Sequence, residues 1–66
     1  MQRIKTLRRL RAMSQEELAK ESGVGRATIS RIERGETGAH GRTLRRLAKA
    51  LGVGVEELVG IGDVDG

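Results

Sequence analysis

The chain of 66 residues contains no cysteine, no proline, no aromatic side chain and a single histidine, His40. Without cysteine there is neither a disulfide framework nor a thiolate metal site, and one imidazole cannot form a ligand cluster in their place. No metal and no cofactor is therefore expected, and packing alone must hold the fold. No apolar run approaches the roughly 20 residues of a membrane span, and the N-terminal segment lacks the apolar centre of a signal peptide. The expectation is a soluble, cytoplasmic protein that does not engage a membrane. Val, Ile and Thr never alternate with polar residues over a strand's length, so a sheet has no support. Catalysis lacks support as well. A chain this short forms one small domain that buries only about 60% of the surface its unfolded state exposes, which leaves no room for an enzyme cleft. No nucleophile, base and orienting group stand at meaningful spacing. The chain is read as a non-enzyme, and no small-molecule effector is expected.

What the chain does have is charge, unevenly placed. The formal net charge is +4. Arg3, Lys5, Arg8, Arg9 and Arg11 precede any acid, and Arg42, Arg45, Arg46 and Lys49 share a second segment. Acids gather elsewhere, at Glu16, Glu17, Glu56, Glu57, Asp63 and Asp65. Such segregation directs a field at a polyanion such as nucleic acid, although a solvated helix carries the same runs. Charge alone leaves both readings open.

Apolar residues recur at helical spacing: Ile4, Leu7 and Leu10; Leu18 with Ala19; Ile29 with Ile32; and Leu44, Leu47, Ala48 and Leu51. The fold class is all-α. Ser14-Gln15-Glu16-Glu17 has the form of a capping box, in which Ser14 accepts from the Glu17 amide while the Glu17 side chain returns to the Ser14 amide. Gly23, Gly35 and Gly52 stand where helices should close. This punctuation predicts five short helices near residues 2–12, 15–22, 26–34, 42–51 and 55–60, a domain over 1–60 and a short tail over 61–66. The link Ser22-Gly23-Val24-Gly25 leaves space for one tight turn, so the helices it joins must cross steeply in a helix-turn-helix. Its requirements are met. Ala19 is small where the helices approach, Gly23 can take positive φ, and Leu18, Val24, Ile29 and Ile32 are apolar where the pair must bury itself.

SQEELAKESGV, the following ISRIERG, and TLRRLAKALGV with EEL together resemble the Cro/Xre-type, phage lambda-repressor-like helix-turn-helix domains, from Ile4 to about Gly60. The resemblance implies a compact five-helix domain in which helices two and three form the motif and the third is a recognition helix for the major groove of double-stranded DNA. It implies a transcriptional regulator, or an engineered DNA-binding protein of the family. The competing function is an antitoxin-like protein-interaction module that docks through its acidic C-terminal segment.

Faces of the third helix follow from about 100° of rotation per residue. With Ile29 and Ile32 toward the core, Ala27, Ser30, Arg31 and Arg34 point outward, and Arg26 lies to one side in the first turn. In proteins the sequence resembles, the positions matching Arg26, Ala27, Ser30 and Arg31 face bases, and those matching Gly25 and Thr28 lie near phosphates. The forks of Arg26 and Arg31 suit guanine O6 and N7, while small Ala27 and Ser30 permit close approach. The simpler reading, a solubilising helix surface, stays open for each. Gln15 matches the family's backbone-binding glutamine, with helix-end amides beside it. Arg42 and Thr43 match a second phosphate-binding region, which His40 either joins or caps. Arg34 is expected to be solvated or phosphate-bound. Glu33 falls on the shoulder nearest the core, and the family pairs an acid at this position with a first-helix arginine, which implies a structural ion pair between Arg8 and Glu33.

Members of the family commonly bind two-fold symmetric sites as dimers, which implies a homodimer on DNA. Val55, Val59 and Ile61 are the expected dimer contacts, unless Val55 or Val59 completes the domain's own core. Departures from the family pattern stand at Gly25 and Gly54, where a Ser or Thr cap is common, and at Ala39 and Gly41, which replace a proline and an apolar residue. Glu36 places an acid where relatives often have a base.

Overall fold

The computed structural model describes residues 1–63, with side chains described through Val59. Five helices follow one another: α1 (Gln2–Leu10), α2 (Gln15–Ser22), α3 (Arg26–Glu33), α4 (Gly41–Leu51) and α5 (Val55–Asp63), with no strand among the described residues. The all-α class and the five-helix order agree with the sequence pattern. No helix is long and apolar enough to cross a membrane.

Local chemistry accounts for most boundaries. At α2 the capping box forms in full: Ser14 Oγ accepts from the Glu17 amide at 3.0 Å, and Glu17 Oε1 accepts from the Ser14 amide at 2.8 Å. Those bonds hold the exposed Glu17 carboxyl below its usual range, the backbone bond from Ser14 first and the side-chain contact second. Gly35 closes α3 and Gly52 closes α4 with left-handed φ of 77° and 73°. In each case the glycine's own amide and the amide of the following residue, Glu36 or Val53, donate to carbonyls of the last turn, the Schellman arrangement.

The same arrangement ends α1, but on an alanine. The amides of Ala12 and Met13 return to the carbonyls of Arg9 and Arg8 at 2.9 and 3.0 Å, and Ala12 takes φ 53°. The helix therefore stops at Leu10, two residues before the predicted end at residue 12. Leu10, expected on the apolar face, is 74% exposed. Repeated steps of three residues rotate by about 60° each relative to a full turn. By the second step from Ile4 the stripe has left the core, and the buried position four residues after Ile4 is instead Arg8.

The core is aliphatic, formed by Ile4, Leu18, Val24, Ile29, Ile32, Leu47, Ala48, Leu51 and Leu58. Helix α2 packs on both α3 and α4, α1 spans α3, α4 and α5, and α5 closes the side formed by α1 and α4. Among the described residues of α5, Leu58 is fully buried and enters the core, and half-buried Val55 packs against that core. Helix α5 continues three residues beyond the predicted end at residue 60, so residues 61–63 are helical and only 64–66 of the expected tail lie outside the described residues.

Candidate nucleic-acid interface

The turn between α2 and α3 is set by its own atoms. Gly23 takes φ 75° and its amide returns to the Ala19 carbonyl at 2.9 Å. Buried Ser22 accepts the Val24 amide at 3.1 Å, which aims the Val24 side chain into the core. Gly25 then caps α3 with extended φ −60° and ψ 142° and offers no side-chain acceptor. The first amides of α3 are thus left to outside partners. Thr28 Oγ1 lies 3.7 Å from where a side chain on Gly25 would begin.

On α3, Ile29 and Ile32 are fully buried and Glu33 nearly so, whereas Arg26, Ala27, Thr28, Arg31 and Arg34 are exposed. Ser30, expected to point outward, is half-buried. It lies about 100° around from Ile29 on the side of Glu33, so it forms the flank of the outward face and not its centre. Arg34 is not simply solvated. Its Nε meets Glu36 Oε2 at 2.7 Å and one terminal nitrogen donates to Ser30 Oγ at 2.8 Å. The Arg34 hydrogen bond and its charge hold the exposed Glu36 carboxyl low, with a smaller effect from the Arg31 charge. Glu36, the acid at a commonly basic position, thereby acts as partner to Arg34.

Behind this face the orientation of α3 is secured by a buried ion pair. Arg8 Nε donates to Glu33 Oε2 at 2.8 Å and a terminal nitrogen donates to Oε1 at 3.1 Å, a two-pronged geometry. The third Arg8 nitrogen donates to the Met13 carbonyl at 2.8 Å and so also closes the turn between α1 and α2. Burial pushes the Glu33 carboxyl up, but hydrogen bonds from Arg8 and Gln15, with the nearby cationic charges, outweigh it and leave it below its usual value. The hydrogen bond with Glu33 raises Arg8 against the opposing effect of burial.

Gln15, expected at a phosphate, donates its carboxamide to Glu33 Oε1 at 3.1 Å and is half-buried. One of its two amide hydrogens is therefore committed inside the protein. The adjoining first turn of α2 carries Glu16 and Glu17, which weakens the case for an anion on its bare amides.

Before α4, His40 occupies the N-cap position with ψ 162° but its side chain makes no capping bond. Arg42 is exposed and Thr43 half-buried. Ala39, in place of the family's proline, packs against the core. In α5, Val55 leans on the core and Val59 is half-buried, so Val55 serves the domain's own packing; the Ile61 side chain lies outside those described. No group of three or more His, Cys, Asp or Glu residues converges as metal ligands among the described residues.

Contacts that sequence reasoning missed include the Leu58 plug, the Gln15–Glu33 bond, and an Arg3 hydrogen bond to the Glu57 carbonyl at 3.0 Å that ties α1 to α5. Leu58 was available from helical spacing, since it follows Val55 by three residues. The other two join segments distant in the chain and leave no periodic trace. A helix-turn-helix family model matches residues 4–58, from the first core residue of α1 to the core leucine of α5. No curated protein and no solved structure matches the chain.

Proposed function

The chain belongs to the Cro/C1-type helix-turn-helix family and is a DNA-binding domain by that membership, and from this premise we propose that α3 is its recognition helix. The observation that carries the reading is the outward face of α3: Arg26, Ala27 and Arg31 are exposed together and no acid lies among them. Ile29 and Ile32 on the opposite face, with Glu33 clamped by Arg8, hold that face in one orientation. A helix of this diameter fits the major groove. Arg26 and Arg31 read guanines, Ala27 allows close approach and touches a thymine methyl, and Ser30 works at the edge of the set.

Phosphate contacts surround the readers. The uncapped amides after Gly25, with Thr28, serve one strand, and Arg42, Thr43 and His40 at the start of α4 serve the region beside the α3–α4 loop. Gln15 contributes the amide hydrogen that Glu33 leaves free. The biological role that fits is transcriptional regulation by a homodimer on a two-fold symmetric site, with half-sites about 34 Å apart. Val59 and Ile61 are the dimer residues, while Val55 leans on the core.

Selection from randomised duplexes tests this. The expected result is an enriched two-fold symmetric sequence whose affinity falls steeply with salt. Enrichment of a single unpaired half-site sinks the dimer. Absence of duplex affinity even at low salt, with capture of a protein partner by the acidic C-terminal segment, replaces the reading with a protein-interaction module.

A further inference from the structure

Helical rotation gives the outward side of α3 a third arginine. Arg34 follows Ala27 by nearly two full turns, which returns it to within about 20° of the same line, and as the C-cap of α3 it keeps right-handed helical backbone angles. Arg26, Arg31 and Arg34 are all exposed. Among the described residues, however, Arg26 and Arg31 have no carboxylate within ion-pair distance, whereas Arg34 does.

Every nitrogen of the Arg34 guanidinium donates within the protein. Nε donates to Glu36 Oε2 at 2.7 Å, one terminal nitrogen to Glu36 Oε1 at 3.3 Å, and the other to Ser30 Oγ at 2.8 Å. Three of its five hydrogens are thereby committed. The grip is two-pronged on Glu36, and Ser30, one turn back on α3, takes the nitrogen that Glu36 leaves. Yet both partners are more than half exposed, at 58% and 54% of their side-chain surface. An ion pair so open to solvent adds little to stability. Its effect is on what the arginine is free to meet.

We propose that Glu36 sets DNA affinity by competing with the DNA backbone for Arg34, so that one arginine of α3 is withheld from sequence-independent attraction to duplex. The inference rests on α3 being the recognition helix and adds to that reading an acid that opposes binding. Carboxylate and phosphate oxygens satisfy the same guanidinium donors, so Arg34 cannot serve both in full. Proximity favours the acid, which stands two residues away along the chain. Glu36 then acts twice: it neutralises Arg34, and its own charge repels an approaching strand. Backbone contacts carry no sequence information. Withholding Arg34 therefore leaves a larger share of the binding to the base contacts of Arg26, Ala27 and Arg31.

The test measures affinity against salt for the full chain, on the duplex obtained by selection and on an unrelated duplex. The variants are Glu36→Gln, Arg34→Gln and the double variant. Glu56→Gln, which removes an equal charge from the exposed start of α5, is the control, and helical circular dichroism checks that each variant folds. A released Arg34 that takes up one phosphate steepens the slope of log affinity against log salt by about 0.9. The expected result is that change in Glu36→Gln, with both duplexes bound roughly ten-fold more tightly and the selected base preferences unchanged. In the Arg34→Gln background the gain from Glu36→Gln should shrink to the size seen with Glu56→Gln. A Glu36→Gln gain no larger than that of Glu56→Gln, or one equally large without Arg34, overturns the competition while duplex binding stands. A new base preference in Glu36→Gln assigns Arg34 to a base and overturns it as well. Failure of the parent itself to bind duplex overturns the DNA-binding reading, and the role of Glu36 with it.

Discussion

Replacing Arg8 and Glu33 by methionine, singly and together, tests what the buried pair does. A chain of this length has a folding free energy of about 3–10 kcal/mol. Removing one partner strands a buried charge, which costs about 3–5 kcal/mol. Either single variant therefore sits near the limit of folding, with its midpoint lowered by at least about 12 °C. The double variant strands no charge. It leaves the Met13 carbonyl and the Gln15 carboxamide short of one partner each, at about 1 kcal/mol apiece. It should lose about 2 kcal/mol, against about 6–10 for the two single losses added together. Thermal and urea melts followed by helical circular dichroism measure this, with osmolyte added where a single variant is unfolded in buffer. Additive losses, with the double variant the least stable, refute the coupling. The pH dependence adds a second check. The Glu33 carboxyl lies below its ordinary value in the fold. Its contribution is therefore complete above the ordinary carboxylate range and drains away as pH falls through the lower, folded value. The acid side of the stability curve should steepen there in the parent and flatten in the double variant.

Ala12→Gly relieves an alanine held at φ 53° and should stabilise the domain by about 1 kcal/mol; an unchanged melting temperature would show that the turn carries no strain. Leu58→Ala should cost about 2–5 kcal/mol, whereas Leu10→Ser should change stability by less than about 0.5 kcal/mol, and the reverse ranking would contradict the placement of α5 and the end of α1. Arg31→Ala should relax preference at one base position, while Arg42→Ala should weaken all sequences alike and reduce the salt slope by about 1; a uniform loss from Arg31→Ala demotes it to a phosphate contact.

Much of the fold is legible where the signal is local. The Ser14–Glu17 box, the closing glycines and the short Ser22–Gly25 link each act within a few residues, and the helices they bound begin and end as expected or within a residue or two. The exposure of Arg26, Ala27 and Arg31 follows from the same local geometry, because Ile29 and Ile32 alone define the inward side of α3. Errors arose where a second segment decides. Leu10 satisfies helical spacing to Leu7, yet the facing surface belongs to Ile4 and Arg8. Ala12 gives no sign of a left-handed turn; it is held there by its own and the Met13 amide returning to α1, with Arg8 gripping the Met13 carbonyl.

Composition, helix signals and the motif from α2 to α3 therefore determine an all-helical domain and its helix-turn-helix, since each depends on contacts within one or two turns of chain. Tertiary structure alone decided that Gln15 joins Arg8 on Glu33, that Ser30 forms a flank, that Leu58 and not Val55 or Val59 plugs the core, and that Lys5 and Arg9 stand beside α3. Residues 18 and 25 positions apart, as Gln15 and Arg8 are from Glu33, meet only when several helices dock at once, and helical periodicity describes one helix at a time.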